Sequence, residues 1–336
     1  MAKRRPTQAD VARVAGVSQT TVSYVLNGNT SISVPEETRQ RIMAAAQTLN
    51  YVPDYAARSL RTRKTHTIAA IIPDIANPFY PTFARAVQDI ARQHNYDLIL
   101  YNTDELAEEE QKCLRSVERG RVDGLIIVPF HSAADDLCRL IEHNMAVVVV
   151  GTEDGPYGHS LNTVGTDDIA VARLAVNHLI GKGHVEIAMI VGTDGPPHLT
   201  RVEGYQRALQ AAGITHEQII SSSAFNEIGG YDAMQQILQS TQHPTAVFAA
   251  NDLMAIGAMR AIKEIGLRIP EDIAIVGIDN IPAANLVMPA LTTVNPFPER
   301  KGQRAAEVLF QILEGTYPVT EQHEEIPYQL IVRDSA

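Results

Sequence analysis

From residue 67 to residue 278 the chain alternates short apolar segments with amphipathic ones, and this alternation restricts the possible folds more than any other feature. We predict strands at 67–72, 96–101, 124–128, 147–150, 187–191, around 219, 246–249 and 273–278. We predict helices at 79–94, 108–119, 133–143, 169–180, 201–212, 229–238 and 253–265. Continuous Val and Ile runs between helices are typical of parallel sheets that are covered on both faces.

The alternation restarts after Asn162, which predicts two doubly wound α/β lobes. Ligands of such folds bind beyond the carboxyl ends of the strands, so we expect a small-molecule site in the cleft between the lobes. The chain is expected to cross between lobes near 161, 291 and 323. Lobe 1 would then hold about 65–161 and 292–322, and lobe 2 about 162–291 and 323–336.

Residues 6–49 predict three short helices that form a separate all-α unit. Thr7 is expected to cap the first helix, which Gly16 ends. Its buried side would be Val11, Ala12, Val14 and Ala15. Ser33 and Glu36 have the spacing of a capping box for the third helix. That helix would pack through Ile42, Ala45, Ala46 and Leu49.

The second helix has a polar outer face of the kind that contacts DNA. Ser18 is expected to cap it, and Val22, Val25 and Leu26 form an inward stripe. Its outward residues would be Gln19, Thr20, Ser23, Tyr24 and Asn27. Two helices across a Gly-containing turn form a helix-turn-helix, which places its second helix in the major groove. An ordinary three-helix unit with a solvated polar face fits the pattern equally well.

The charge distribution favours the DNA-binding interpretation. Residues 1–64 contain ten Lys or Arg and four acids, a net charge of +6, whereas the whole chain carries −11 and the remainder therefore −17. A basic head on an acidic body concentrates attraction for phosphate at the head.

Several other functional classes are not indicated. The sequence lacks the dinucleotide, Walker and nucleophile-elbow motifs, so we expect no cofactor and no enzymatic activity. Cys113 and Cys138 lack metal-site spacing, and the scattered histidines predict no metal site. No apolar stretch suggests a signal peptide or a membrane span, so we expect a cytoplasmic protein without membrane contact.

Polar residues follow several predicted strands. They are Asp74, Arg201, Asn251 with Asp252, and Asp279 with Asn280. Without a nucleophile or metal set, such residues suit recognition of hydroxyl or carboxylate groups better than catalysis. Asp252 is expected to cap the following helix rather than to contact a ligand.

Motifs of the head, the following segment and the body together resemble the lactose-repressor and purine-repressor family of bacterial transcription regulators. They include Asp10-Val11-Ala12, Ala15-Gly16-Val17-Ser18, Thr21-Val22-Ser23, Val25-Leu26-Asn27, Leu49-Asn50-Tyr51-Val52-Pro53, Ala57-Arg58-Ser59-Leu60, Asn77-Pro78-Phe79-Tyr80, Asn251-Asp252-Leu253-Met254-Ala255 and Gly277-Ile278-Asp279-Asn280. The resemblance implies a helix-turn-helix domain (1–52), a hinge helix (53–64), and a periplasmic-binding-protein-like body for effector binding and dimerisation (65–336).

The resemblance also implies DNA contacts. Gln19, Thr20 and Tyr24 would read bases, and Ser18, Thr21, Ser23 and Asn27 would contact the backbone. Many relatives carry Arg at the position of Tyr24, and Tyr offers one hydroxyl and an apolar ring instead of a bidentate donor. In the hinge, Leu60 would insert into the minor groove, Ala57 would allow close approach, and Arg61 would lie beside it.

The effector contacts implied by the resemblance are Asp74, Phe79 or Tyr80, Arg201, Phe225, Asn251 and Asp279. Aromatic rings beside an Arg and two Asp suit a sugar-like or nucleoside-like ligand, and we expect a sugar that acts as an inducer. Phe225 fits a core position equally well. The expected partners are a pseudo-palindromic DNA operator, this small-molecule effector and a second copy of the chain. The alternative class is a solute-binding receptor of a transporter, against which the basic head and the absent signal peptide argue.

Overall fold

The computed structural model describes residues 6–26, 33–52, 64–151, 157, 160–193, 195–222, 224–240 and 243–336. The chain divides into two compact units, residues 1–65 and residues 66–336, which are the head and the body below. The predicted fold class, N-terminal helices followed by a two-sheet α/β body, is confirmed. The predicted hinge helix lies outside the described residues.

The head contains three helices, α1 (Gln8–Ala15), α2 (Gln19–Leu26) and α3 (Glu36–Thr48). Thr7 caps α1 in a reciprocal capping box with Asp10, whose carboxylate accepts from the Thr7 N–H at 2.9 Å. Gly16 ends the helix in the left-handed conformation, with φ 68°. The Ser18 hydroxyl accepts from the Thr21 N–H at 3.1 Å, as expected for the cap of α2. The buried residues of the three helices form one small core: Val11, Ala12, Ala15, Val22, Val25, Ile42 and Ala45.

Two details of the head differ from prediction. Val14 is 54% exposed because it lies to one side of the buried stripe of α1. Ser33 does not cap α3, which begins at Glu36 after Pro35 and has no side-chain cap. A cap at Ser33 would require helical geometry at Val34, and the residue before a proline is pushed toward extended backbone.

The body contains two six-stranded sheets. The strands are β1 (Thr67–Ile72), β2 (Asp97–Asn102), β3 (Gly124–Ile127), β4 (Ala146–Val150), β5 (Asn162–Gly165), β6 (Ile187–Gly192), β7 (Gln218–Ser222), β8 (Ala246–Ala249), β9 (Ala274–Ile278), β10 (Thr292–Asn295), β11 (His323–Glu325) and β12 (Gln329–Ile331). The helices are α4 (Phe79–Gln93), α5 (Ala107–Glu118), α6 (Ala134–Glu142), α7 (Asp168–Gly181), α8 (Pro196–Ala211), α9 (Glu227–Leu238), α10 (Asp252–Glu264) and α11 (Pro298–Leu313), with a short 3-10 helix at Pro282–Asn285.

The order of the first sheet is β11-β5-β4-β3-β1-β2, and every pair is parallel. The order of the second is β12-β10-β9-β8-β6-β7, parallel except for the β10–β12 edge pair. The central strands of both sheets are buried along their length, for example β3, β8 and β9. The prediction of parallel sheets from continuous apolar runs is therefore confirmed.

The crossings between lobes lie slightly later than expected. Residues 162–165 and 323–325 belong to the first sheet, and residues 292–295 belong to the second. The chain therefore changes lobe after β5, β10 and β11, rather than before them. These strands have three or four residues each, and Asn, Thr, His and Glu give them no apolar run to recognise.

Among the described residues, no helix is long and apolar enough to span a membrane. The same part of the chain holds no cluster of His, Cys, Asp and Glu suited to a metal ion. Cys113 and Cys138 are free thiols there.

Candidate functional site

A cavity of about 580 Å³ lies in the body, between the carboxyl ends of the strands of the two sheets. Its wall is formed by the segments that follow these strands and by the first turns of the adjoining helices. The residues that carry its chemistry are Asn77, Phe79, Tyr80, Glu105, Phe130, Thr166, Asp168, Arg201, Phe225, Asn251, Asp279 and Lys301. Both lobes contribute to this wall, so a molecule inside it would contact both.

Six of the seven residues expected at an effector site line this cavity: Phe79, Tyr80, Arg201, Phe225, Asn251 and Asp279. Asp74 does not line it. Its carboxylate accepts from the Ala76 N–H at 2.8 Å in a local turn. Asn77, three residues later, is buried in the wall instead, and its side-chain oxygen accepts from the Phe79 N–H at 3.0 Å.

Arg201, on α8, is anchored in the wall by two polar groups of its own lobe. Its Nη1 donates to the Ala250 carbonyl oxygen at 2.6 Å, and its Nη2 lies 3.5 Å from the Asp168 carboxylate. Its Nε is buried and finds no hydrogen-bond partner among the described residues. The guanidinium is therefore held in place with one donor unused.

Asp279 is a buried carboxylate at the end of β9. Burial raises its pKa from 3.8 to about 6, although the charge of Arg201 opposes the shift. Its backbone has φ 116°, a conformation that few non-glycine residues adopt. A buried carboxylate near neutral pKa is a strong acceptor for hydroxyl groups once it is ionised.

Asp252 holds the loop that carries Asp279, contrary to the prediction that it caps α10. Asp252 is fully buried, and it accepts from the Thr293 hydroxyl at 2.6 Å and from the Ile281 N–H at 3.0 Å. Burial, and then the charge of Asp279, raises its pKa well above its usual range.

Asn251, which was expected to contact a ligand, is the cap of α10. Its side-chain oxygen accepts from the Met254 N–H at 2.8 Å, and its amide donates to the Phe225 carbonyl oxygen at 2.8 Å. The residue is 2% exposed. Asn251 therefore lines the cavity while its own hydrogen-bonding groups hold α10 and the Phe225 segment.

Aromatic rings close two sides of the cavity. The rings of Phe79 and Tyr80 meet edge to face, with centroids 5.1 Å apart. Burial, with the charges of Asp279 and Glu105, raises the pKa of Tyr80 well above its usual range, so its hydroxyl remains a donor. Phe225 lines the cavity and also packs in the core of the second lobe. Its contact with a ligand stays a prediction.

Phe130 is a wall residue that the sequence did not indicate. It comes from the first lobe, yet it packs with the core of the second lobe, 6.1 Å from the Phe225 ring centroid. Gly195 provides the space, because a Cβ there would lie 2.4 Å from the Phe130 ring. The contact joins the lobes beside the cavity.

The segment that carries Phe130 is held by the buried carboxylate of Glu110. This group accepts from the N–H groups of Phe130 at 3.1 Å, His131 at 3.1 Å and Ser132 at 2.9 Å, and from the Ser132 hydroxyl. Glu110 lies in a run of acidic residues on α5, and such a run in a sequence indicates a solvated helix face. Only the fold distinguishes it from its exposed neighbours.

In the head, the outer face of α2 carries the predicted base readers. Ser18, Gln19 and Thr20 are exposed, and Thr21, Ser23 and Tyr24 are half-buried. The hydroxyls of Ser18 and Thr21 lie 2.8 Å apart. Asn27, Ala57, Leu60 and Arg61, the remaining predicted DNA contacts, lie outside the described residues.

Known protein families match segments in both the head and the body. A family model described as bacterial regulatory proteins, lacI family, matches residues 7–54, and one for a periplasmic binding protein-like domain matches residues 176–336. The ribose operon repressor of Escherichia coli (strain K12) is 34% identical over 322 residues, which cover 94% of this chain and 95% of that protein. The chain belongs to the lacI family of bacterial regulatory proteins.

Other members of the family are also similar to this chain over most of its length. The HTH-type transcriptional repressor PurR of Histophilus somni (strain 129Pt) is 33% identical over 330 residues, 97% of each chain. The lac repressor dimer bound to operator and the anti-inducer ONPF has a TM-score of 0.86 at 27% identity, over 99% of both chains. A LacI family regulator from Enterococcus faecium with bound ribose has a TM-score of 0.72 at 32% identity, over 80% of this chain and 98% of that one. The predicted class, a transcription regulator of this family, is confirmed, and a transporter receptor is not favoured.

Proposed function

We propose that this lacI-family chain is a homodimeric repressor that binds a pseudo-palindromic operator and is released from it by a small hydroxylated ligand in the body cavity. The observation that carries the proposal is the convergence of Arg201, Asp279 and Tyr80, from both lobes, on one cavity beside aromatic rings. Charged acceptors and donors next to ring faces suit a sugar or sugar derivative. The ribose-bound relative and the operator-bound lac repressor dimer support the same assignment.

We further propose that the protein is cytoplasmic and has no catalytic activity. Operator DNA in bacteria lies in the cytoplasm, so we place the regulator there. The carboxylates of Asp168 and Asp252 are engaged with Arg201, Thr293 and Ile281, which suits a recognition site more than acid–base chemistry. We therefore assign the chain no enzymatic activity.

Control follows from the position of the cavity. A ligand that contacts Tyr80 on one lobe and Arg201 on the other stabilises one arrangement of the lobes over another. Through the hinge, this preference would change how two heads of a dimer meet the operator. Coupling of this kind is about 1–3 kcal/mol, or roughly 5- to 150-fold in operator affinity.

The experiment that tests the proposed function is a ligand screen read out on operator DNA. The operator is first obtained by selection from randomised duplexes. Sugars, sugar derivatives and nucleosides are then tested for thermal stabilisation of the full chain and for release of that operator. A ligand that does both supports the proposal. Failure of every member of the panel to bind would contradict the ligand half, whereas equal affinity for all duplexes would contradict the operator half.

We expect the head to bind DNA in a base-specific manner through α2. Replacing Gln19 with alanine is expected to weaken operator binding by about 1–3 kcal/mol, or roughly 5- to 150-fold, because a base-edge contact is lost. Parental affinity should also fall by orders of magnitude between about 50 and 200 mM salt, because two basic heads displace counterions from phosphate. Fluorescence anisotropy with operator and scrambled duplexes measures both effects.

Gln47→Ala is the matched control, because Gln47 is also exposed in the head but lies on α3. It should change operator affinity less than about twofold, as expected for surface substitutions away from an interface. Equal effects of the two substitutions, or affinity that does not respond to salt, would rule out α2 as the reading element.

We expect the affinity for the ligand to depend on pH because of Asp279. Its carboxylate accepts ligand hydroxyls when ionised, so the dissociation constant should rise as pH falls below about 6, by up to tenfold per unit. The pKa of Asp279 is raised from 3.8 to about 6 in the folded protein, so its protonated form favours the fold. This contribution to stability is fully present below about pH 3.8 and is lost as pH rises through about 6. Asp279→Asn should therefore stabilise the ligand-free protein at pH 7 while weakening ligand binding and removing its pH dependence.

Calorimetric titration at pH 5–8, with thermal unfolding of both proteins, measures these effects. Asp272→Asn is the control, since this carboxylate lies on the surface, is paired with Arg268, and does not line the cavity. An unchanged pH dependence in Asp279→Asn would show that another group titrates.

A further inference from the structure

Lys301 is the residue of the cavity wall whose chemistry the sugar-binding proposal leaves unused. It lies in the first turn of α11, is 7% exposed, and lines the cavity. Within the part of the chain that the structure describes, its ammonium makes no hydrogen bond or ion pair. It lies over the Phe79 ring, whose centroid is 5.6 Å away. A buried ammonium that faces a cavity without a hydrogen-bonded anion is costly unless a ligand supplies one.

The acids across the cavity do not compensate this charge. Asp168 and Asp279, both of the second lobe, attract the ammonium, but Asp168 already lies 3.5 Å from Arg201. Burial outweighs their attraction, with Arg201 adding repulsion, so the pKa of Lys301 is lowered. No side chain caps the positive N-terminal end of α11, where Lys301 is located. Lys301 therefore offers an unpaired positive charge to this part of the cavity, although the Glu105 carboxylate also lines it and Glu299 lies in the first turn of α11.

Other groups of the same wall suit hydroxyl groups. Thr166 is 3% exposed and lines the cavity, and its hydroxyl finds no hydrogen-bond partner among the described residues. The Arg201 Nε is a second unused donor, and the Asp279 carboxylate is an acceptor close by. These groups can satisfy the donors and acceptors of vicinal hydroxyls, as a polyol chain or sugar ring provides.

We propose that the effector is a hydroxylated anion, a sugar acid or a sugar phosphate, whose carboxylate or phosphate binds Lys301 while its hydroxyls bind Thr166, Arg201 and Asp279. This proposal rests on the proposed function and narrows its ligand class. A cavity of about 580 Å³ accommodates a monosaccharide together with such a group. The anion would pair with the buried ammonium from the first lobe, and the hydroxyls bound to Arg201 and Asp279 would engage the second, so one molecule would connect both lobes.

The test compares matched ligands that differ in the anionic group alone. Full-length protein is titrated with four pairs: glucitol and gluconate, ribitol and ribonate, glucose and glucose 6-phosphate, and ribose and ribose 5-phosphate. At least one anion should bind roughly tenfold or more tightly than its neutral counterpart, because hydrogen bonds to charged groups are stronger than neutral ones. The carboxylate and phosphate arms show which group Lys301 accepts.

Lys301→Met keeps the length and apolar stem of the side chain and removes its charge. It is expected to weaken binding of the anion roughly 10- to 100-fold and to leave the neutral counterpart unchanged or tighter. Arg300→Met is the matched control, since Arg300 precedes Lys301 on the same helix but stacks on Phe297, 4.7 Å away, outside the cavity wall. Its affinities should match the parental ones. The thermal stability of Lys301→Met should be retained, because the substitution removes a cation that is costly to bury. Retained stability would show that a loss of ligand affinity is not a loss of folding.

The outcomes separate this inference from the proposed function. If neutral sugars bind most tightly and release the operator, and Lys301→Met affects all ligands equally, the anionic ligand class is wrong while the sugar-controlled repressor stands. If neither neutral nor anionic members of the panel bind, the anionic ligand class and the ligand half of the proposed function are both wrong, and the operator half is unaffected. A selective loss of the anion in Lys301→Met supports both.

Discussion

Arg201→Ala is expected to abolish the response of operator binding to the ligand. The substitution removes a guanidinium anchored to Ala250 and Asp168 in the cavity wall, and it leaves the neighbouring carboxylates without their cation. Truncating one partner of a buried charge pair costs about 2–5 kcal/mol, which corresponds to a loss of ligand affinity of roughly 30-fold to several thousandfold. Operator titrations with and without ligand measure the effect.

Ligand-free operator binding should remain near the parental value, which also shows that the variant is folded. Arg260→Ala is the control: Arg260 is exposed, pairs with Glu264 at 2.9 Å, and does not line the cavity. It should respond to ligand as the parental protein does. An unchanged ligand midpoint in Arg201→Ala would exclude this cavity as the effector site.

Glu110→Ala is expected to destabilise the body more than other substitutions in α5. The carboxylate is 1% exposed and accepts from three backbone N–H groups and one hydroxyl of residues 130–132. Its removal leaves these donors buried without an acceptor, at a cost of about 3–5 kcal/mol. For a unit of this size the melting temperature should fall by on the order of 10 °C. Thermal unfolding monitored by circular dichroism measures it.

Glu109→Ala is the matched control, because the adjacent carboxylate is 42% exposed and pairs with Lys112 on the surface. Its effect should stay below about 0.5 kcal/mol. Glu110→Gln should lower the melting temperature by an intermediate amount. The glutamine amide keeps one acceptor oxygen, but it places its own N–H groups against the backbone donors of residues 130–132. Equal melting temperatures for all variants would show that the 130–132 segment finds other acceptors.

The sequence predicts the fold because burial on both faces requires long apolar strands. β1, β3, β8 and β9 are such strands, and their continuous apolar runs show them directly. β5, β10 and β11 have no such pattern, because they are short and lie nearer the sheet edges. The helix at 298–313 follows one of these strands, and it was not predicted either.

The cavity was predictable in its location and in part of its lining. Parallel topology places residues after strand ends together, which indicated Arg201, Asn251 and Asp279. It does not show which of several polar residues in one loop turns inward, and so Asn77 lines the cavity where Asp74 was expected. Lys301 and Glu110 look like surface charges in the sequence, because burial depends on packing between distant segments.

The three crossings between the lobes affect how such a gene can recombine. One breakpoint between residues 65 and 66 transfers the whole head to another body, so specificity for DNA and for ligand can be inherited separately. The lobes cannot be exchanged in this way, because each is assembled from separate stretches of chain joined after β5, β10 and β11. New ligand specificities in this architecture must therefore arise mainly by substitutions within the cavity wall.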